Sequence, residues 1–149
     1  MLQSTDSLRI RLSQVGEPVI DTPAPAQIDG GVAASDLKIQ YNVLVRINRP
    51  ESRVDVIVSM VYLASKDKLF SGSLTTRFDV VDLASYITAK DSEDEFRIES
   101  DFLPMLINIA FSTTRGYFVR ELSCSVLAPY PFPMISTDNL QKHTSYQLI

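Results

Sequence analysis

Cys124 and His143 are the only cysteine and the only histidine of the chain, so any nucleophile–base pair would have to be built from these two. The neighbours of Cys124 (Leu122, Val126, Leu127) mark it as a semi-buried thiol, and His143 reads as an exposed residue of a polar tail. A catalytic base or a metal ligand needs partners that converge on it, and the sequence offers no Cys-x-x-Cys, no His-x-x-x-His and no alternating acidic loop. Asp91, Glu93, Asp94 and Glu95 supply carboxylates for a cation but lack that loop's alternation and its glycine, which makes them a solvated stretch. Gly30-Gly31 is no phosphate loop, because no strand feeds it and no Lys-Ser/Thr follows. Ser112-Thr113-Thr114-Arg115 has no catalytic spacing. The expectation is therefore a protein without catalytic residues, cofactor or metal, whose work is binding.

Pro129 to Ile135 is the segment best suited to that work. Three alternating prolines hold it extended and unable to pair as a central strand, and Tyr130, Phe132, Met134 and Ile135 hang from it. Rigid aromatic and methionine side chains make adaptable apolar contacts at small entropic cost. The same residues could instead simply cap the helix layer of their own domain, and both readings stand at this point.

These residues need a scaffold, and length and composition bound it. A chain of 149 residues, 45% apolar and 21% charged, is the size and make-up of one globular domain spanning 1–149. A formal charge of -4 argues against nucleic acid, whose phosphates need clustered Lys and Arg. A single cysteine permits no internal disulfide. The opening MLQSTDSLRIRLSQ has no basic start leading into a long apolar run, and no stretch is apolar enough to span a membrane. The expected location is the cytosol, without membrane insertion.

Leu8, Ile10 and Leu12 alternate with polar residues as a short strand. A segment with Pro18, Pro23, Pro25, Gly30 and Gly31 then reads as a long crossing loop that carries Val19, Ile20 and Ile28. Leu37 to Ile47 alternates most clearly of all, and Val54 to Ala64 and Leu69 to Val80 follow as two further strands. Asn48–Ser52 and Ser65–Lys68 carry turn chemistry, so the three strands form an antiparallel meander. The few charges on Val54–Leu63 point to pairing across subunits, and hence to an oligomer. Beyond Val81, Asp82 is placed to cap a short helix over Leu83–Ile87. A longer helix starts near Ser100, holds Pro104 in its first turn and fades at Arg115-Gly116. Phe118–Val126 then reads as a strand, and a short helix is possible from Thr137.

The stretch Leu103-Pro104-Met105-Leu106-Ile107-Asn108-Ile109-Ala110-Phe111-Ser112-Thr113-Thr114-Arg115-Gly116-Tyr117, followed by Pro131-Phe132-Pro133-Met134-Ile135, resembles the SecB family of export chaperones in its shorter, divergent SecB-like branch. Thr76-Arg77-Phe78-Asp79-Val80 is similar to the end of that family's last strand. The extra residues Phe118 to Leu127 and the short part after Leu140 depart from it. The resemblance implies an α+β fold: a four-stranded antiparallel sheet, made of the meander and an N-terminal strand joined by the crossing loop, packed by one long and one or two short helices. It also implies a homotetramer, a dimer of dimers, that holds unfolded or extended polypeptide in apolar grooves without ATP. Some members serve protein export; others chaperone a dedicated partner such as an antitoxin. The groove residues it suggests are Tyr117, Phe118, Tyr130, Phe132, Met134 and Ile135, with Val19 and Ile20 from the crossing loop.

Overall fold

The computed structural model describes residues 10–89, 96–98 and 102–149. Its frame is the meander: β3 (Leu37–Asn48), β4 (Arg53–Ala64) and β5 (Asp67–Val80), paired antiparallel along their length. Both turns behave as their residues dictate. The Asn48 side chain accepts from the Glu51 N–H at 3.2 Å, a local bond that closes the first turn. The second is a two-residue loop between paired Ala64 and Asp67, and Ser65 takes the positive φ of 53° that such tight hairpins require. One face of the meander forms the core: Val43, Val45, Ile47, Val54, Val56, Val58, Met60, Tyr62, Phe70, Phe78 and Val80 are all at most 1% exposed.

Three more strands, β1 (Ile10–Val15), β2 (Val19–Thr22) and β8 (Thr144–Leu148), extend this frame. The sheet is thus larger than the four strands expected. Among the described residues it has six strands, in the order β1-β5-β4-β3-β8, with β2 also lying on β5. β1 and β2 run one after the other along the long β5. The prolines of the crossing loop do not forbid regular pairing as expected: Pro18 and Pro23 flank β2 rather than interrupt it, and the four residues between them are free to pair. β8 joins β3 in parallel, the one parallel pairing among the described residues. A small antiparallel pair, β6 (Ile87–Ala89) with β7 (Phe96–Ile98), stands apart. Ser100 and Asp91–Glu95 lie outside the described residues.

Helix α1 (Phe102–Leu122) covers the core face of β4 and β5. It does not fade at Arg115-Gly116. An interior glycine costs a helix only about 1 kcal/mol, and the apolar row Leu103, Leu106, Ala110, Thr114, Phe118 and Leu122 continues buried past it. Burial of two further large side chains outweighs that cost, so the strand expected over Phe118–Val126 is the last helical turns followed by a loop. Asp82 does not cap: it adopts φ 57°, its side chain makes no capping bond, and Leu83–Tyr86 forms a single 3-10 turn. The helix expected from Thr137 is present as α2 (Thr137–Lys142), with the Ser136 hydroxyl accepting from the Asn139 N–H. β4 lies between β3 and β5, so the strand expected to pair across subunits has both edges filled within the chain.

Candidate functional site

A row of aromatic rings crosses the sheet beneath α1. Phe118 meets Phe70 at 5.3 Å between centroids, Phe70 meets Tyr62 at 6.1 Å, Tyr62 meets Phe132 at 6.1 Å and Phe132 meets Tyr41 at 5.9 Å. All are edge-to-face, the arrangement the ring quadrupoles favour. The row ends at His143, whose ring lies tilted 4.7 Å from that of Tyr41.

The proline-rich segment lies on this row. Pro129, Pro131 and Pro133 have no N–H to satisfy, and the carbonyls between them find donors. The Tyr62 hydroxyl donates to the Tyr130 carbonyl at 2.7 Å and Arg115 Nε donates to the Phe132 carbonyl at 2.9 Å. The Tyr130 hydroxyl donates onward to the Val32 carbonyl at 2.8 Å, tying the segment to the crossing loop. Burial drives the Tyr62 phenol well above its ordinary pKa of 10.0. Tyrosines of the unfolded chain ionise near that ordinary value while Tyr62 stays protonated in the fold, so its contribution is complete below it and drains away as pH rises beyond it. Melting temperatures taken between about pH 8 and pH 11 should fall at the alkaline end, and Tyr62→Phe should flatten part of that fall.

The sequence-derived groove residues separate into two sets. Phe118 and Phe132 are each 1% exposed and belong to the core, so the role of lining an open groove does not fit them. Tyr130 and Ile135 are half-buried; Tyr117 is 40% exposed on α1, and Met134 is 81% exposed. Val19 and Ile20 lie on β2, at the other margin of the sheet. Ile20 pairs with Gly72, above whose bare Cα the Phe118 and Phe70 rings converge. Cys124 is exposed, not semi-buried: α1 ends at Leu122 and the thiol falls in the turn that follows. Among the described residues, no three His, Cys, Asp or Glu side chains gather, and no helix is long and apolar enough to cross a membrane.

The feature that residue types did not reveal is an edge. β8 covers β3 only from Val43 to Ile47. The Val43 N–H donates to the His143 carbonyl and the Ile149 N–H to the Ile47 carbonyl, so odd-numbered residues of β3 point their main chain toward β8. By the same alternation the C=O of Leu37 and the N–H and C=O groups of Ile39 and Tyr41 face outward, and among the described residues no strand meets them; the Leu37 N–H donates to the Ala34 carbonyl instead. A depression of about 500 Å3 follows this stretch, lined by Lys38, Ile39, Gln40, Tyr41, Asn42, Ser59, Val61 and His143. An unpaired strand edge beside apolar and aromatic side chains can accept an extended peptide, with backbone bonds for affinity and side-chain pockets for preference. The sequence held one clue: β3 opens the meander, so one flank has no sequential neighbour.

No family model matches the chain, and no curated protein matches it. Among solved structures it is similar to the SecB-like chaperone of Mycobacterium tuberculosis in complex with a ChAD peptide from the HigA1 antitoxin. That similarity has a TM-score of 0.50 at 12% identity and covers 86% of this chain and 91% of the other. By that similarity the chain has a SecB-like fold.

Proposed function

We propose that this protein is an ATP-independent chaperone that holds extended, unfolded polypeptide. The observation that carries the reading is the outward main-chain row that begins at the Leu37 carbonyl and runs through Ile39 and Tyr41, beside its apolar depression. Binding the unfolded state withdraws a client from aggregation by mass action and needs no nucleotide. The work is binding rather than catalysis, in the cytosol, with protein export one use of it.

The working unit we infer is a homo-oligomer, a dimer of dimers. Two surfaces support this. Leu12 and Val15 of β1 are 48% and 40% exposed on the helix side of the sheet margin, and Met105, Ile109 and Val119 of α1 are 40–47% exposed along one outer line. Exposed apolar side chains aligned on one side of an element mark contact between proteins. A second reading is a chaperone with one dedicated client, and it is favoured by the neighbour of this fold whose structure contains an antitoxin peptide.

Dilution of two unrelated denatured proteins into buffer, with this protein and without ATP, separates the two readings. Suppressed light scattering for both at near-stoichiometric ratios is the expected result, from a species heavier than the 16.7 kDa protomer. Suppression of neither would leave only the dedicated-client reading. Ile39→Pro removes one outward N–H while leaving the β4 ladder, which uses even-numbered residues, in place. It should weaken client retention by up to about tenfold, with the far-UV circular dichroism unchanged.

A further inference from the structure

β8 differs from every other strand of the main sheet. Among the described residues it is the only parallel partner, and parallel pairs are slightly weaker per residue than antiparallel ones. It buries little: none of Thr144 to Leu148 is fully buried, and Tyr146 is 43% exposed. The strand beneath is the reverse, with Val43, Val45 and Ile47 at most 1% exposed. Main-chain bonds hold β8 at both ends, Val43 N–H to His143 C=O at 2.9 Å and Ile149 N–H to Ile47 C=O at 2.8 Å. Its side-chain ties include one bond between Arg46 and Gln147 at 3.1 Å, and the Thr144 hydroxyl donating to the Leu140 carbonyl at 2.6 Å. The groups it occupies on Val43, Val45 and Ile47 continue the same row that the Leu37 carbonyl, Ile39 and Tyr41 leave open.

We propose that β8 is a built-in competitor for the client edge: an extended client strand that enters at Leu37–Tyr41 displaces β8 and takes the whole of β3. With β8 in place the free edge runs for six residues, about 20 Å; with β8 gone it runs for the twelve of Leu37–Asn48, about 40 Å. A short peptide would occupy the open half only, and a long unfolded segment would need the second half as well. The edge is thus selective for length, since only a client with enough backbone to replace every bond of β8 gains by expelling it. This inference rests on reading the β3 edge as the client site.

The test measures fluorescence anisotropy of a labelled, reduced and carboxymethylated unfolded protein against three versions of this chain. One is the unaltered protein. One stops before Thr144. The third carries Leu44→Cys and Ser145→Cys, paired positions of β3 and β8, in a Cys124→Ser background, so that a disulfide pins β8 when oxidised. Removing β8 should tighten binding by about tenfold if the strand is closed roughly nine-tenths of the time. The oxidised form of this third version should bind more weakly than its reduced form, a comparison that holds even if the shortened chain folds poorly. Equal affinity of oxidised and reduced forms would overturn the competitor role while leaving the edge reading intact. Absence of binding by all three versions, reduced form included, would remove the edge reading and this inference together.

Discussion

Phe132→Ala should lower the stability of the protein by about 3–5 kcal/mol, the usual cost of deleting a buried phenylalanine. The ring is 1% exposed and makes edge-to-face contacts with Tyr41, Tyr62 and Phe111 at 5.9, 6.1 and 5.6 Å. Its backbone is fixed by the Arg115 bond to its carbonyl and by prolines on both sides, so the segment cannot slide to fill the void. A urea titration reads the result as a lower midpoint at unchanged slope. Two residues on, Met134→Ala should move the midpoint by no more than about 0.5 kcal/mol equivalent, because that side chain is 81% exposed. The pair distinguishes the two roles considered for the segment. Residues that merely faced a client would weaken client binding at constant stability, whereas Phe132 should act through folding first.

The second large effect is expected at Gly72, where the requirement is space rather than backbone freedom. A Cβ there would stand 3.0 Å from Phe118 Cζ and 3.1 Å from Phe70 Cζ, tighter than nearly all contacts of this kind, so the rings would have to give way. Both rings are 1% exposed and wedged between β5 and α1, so neither has an empty place to move into. Gly72→Val should destabilise the protein by about 1–3 kcal/mol through overpacking, despite the better strand propensity of valine. Trimming Phe118 to leucine in the same chain should recover part of the loss, and a double-mutant cycle in urea would measure that coupling. A fully additive pair would mean that the strain is relieved elsewhere.

The meander was legible because its signal is local. Alternation over Leu37–Ile47 and Val54–Ala64 names the buried face residue by residue, and Asn48 and Ser65 sit where their turns need them. The α+β class and the cover by a long helix were legible for the same reason. The helix end was not, because Gly116 is a stop signal by propensity and only the burial of Phe118 and Leu122 overrides it. β2 and β8 escape a sequence reading since each is short and its partner is distant: Ile20 pairs with Gly72, and Tyr146 with Val45. No period within four or five residues announces such a pairing. For the site, residue type was informative and position was not. Phe132 of the proline-rich segment does join the aromatic row, but it is consumed by the core. The open edge at Leu37–Tyr41 follows from strand order, which no side chain encodes.

The order in which this architecture is written along the chain has a consequence for its own synthesis. The apolar face of the meander is complete at Val80, whereas the helix that covers it ends at Leu122 and the Phe132 ring arrives later still. At roughly 5–20 residues per second, a ribosome leaves that face bare for a few seconds. During that interval the nascent chain presents a long sheet of valine, isoleucine and phenylalanine to its surroundings, the very kind of surface it is proposed to shield in others.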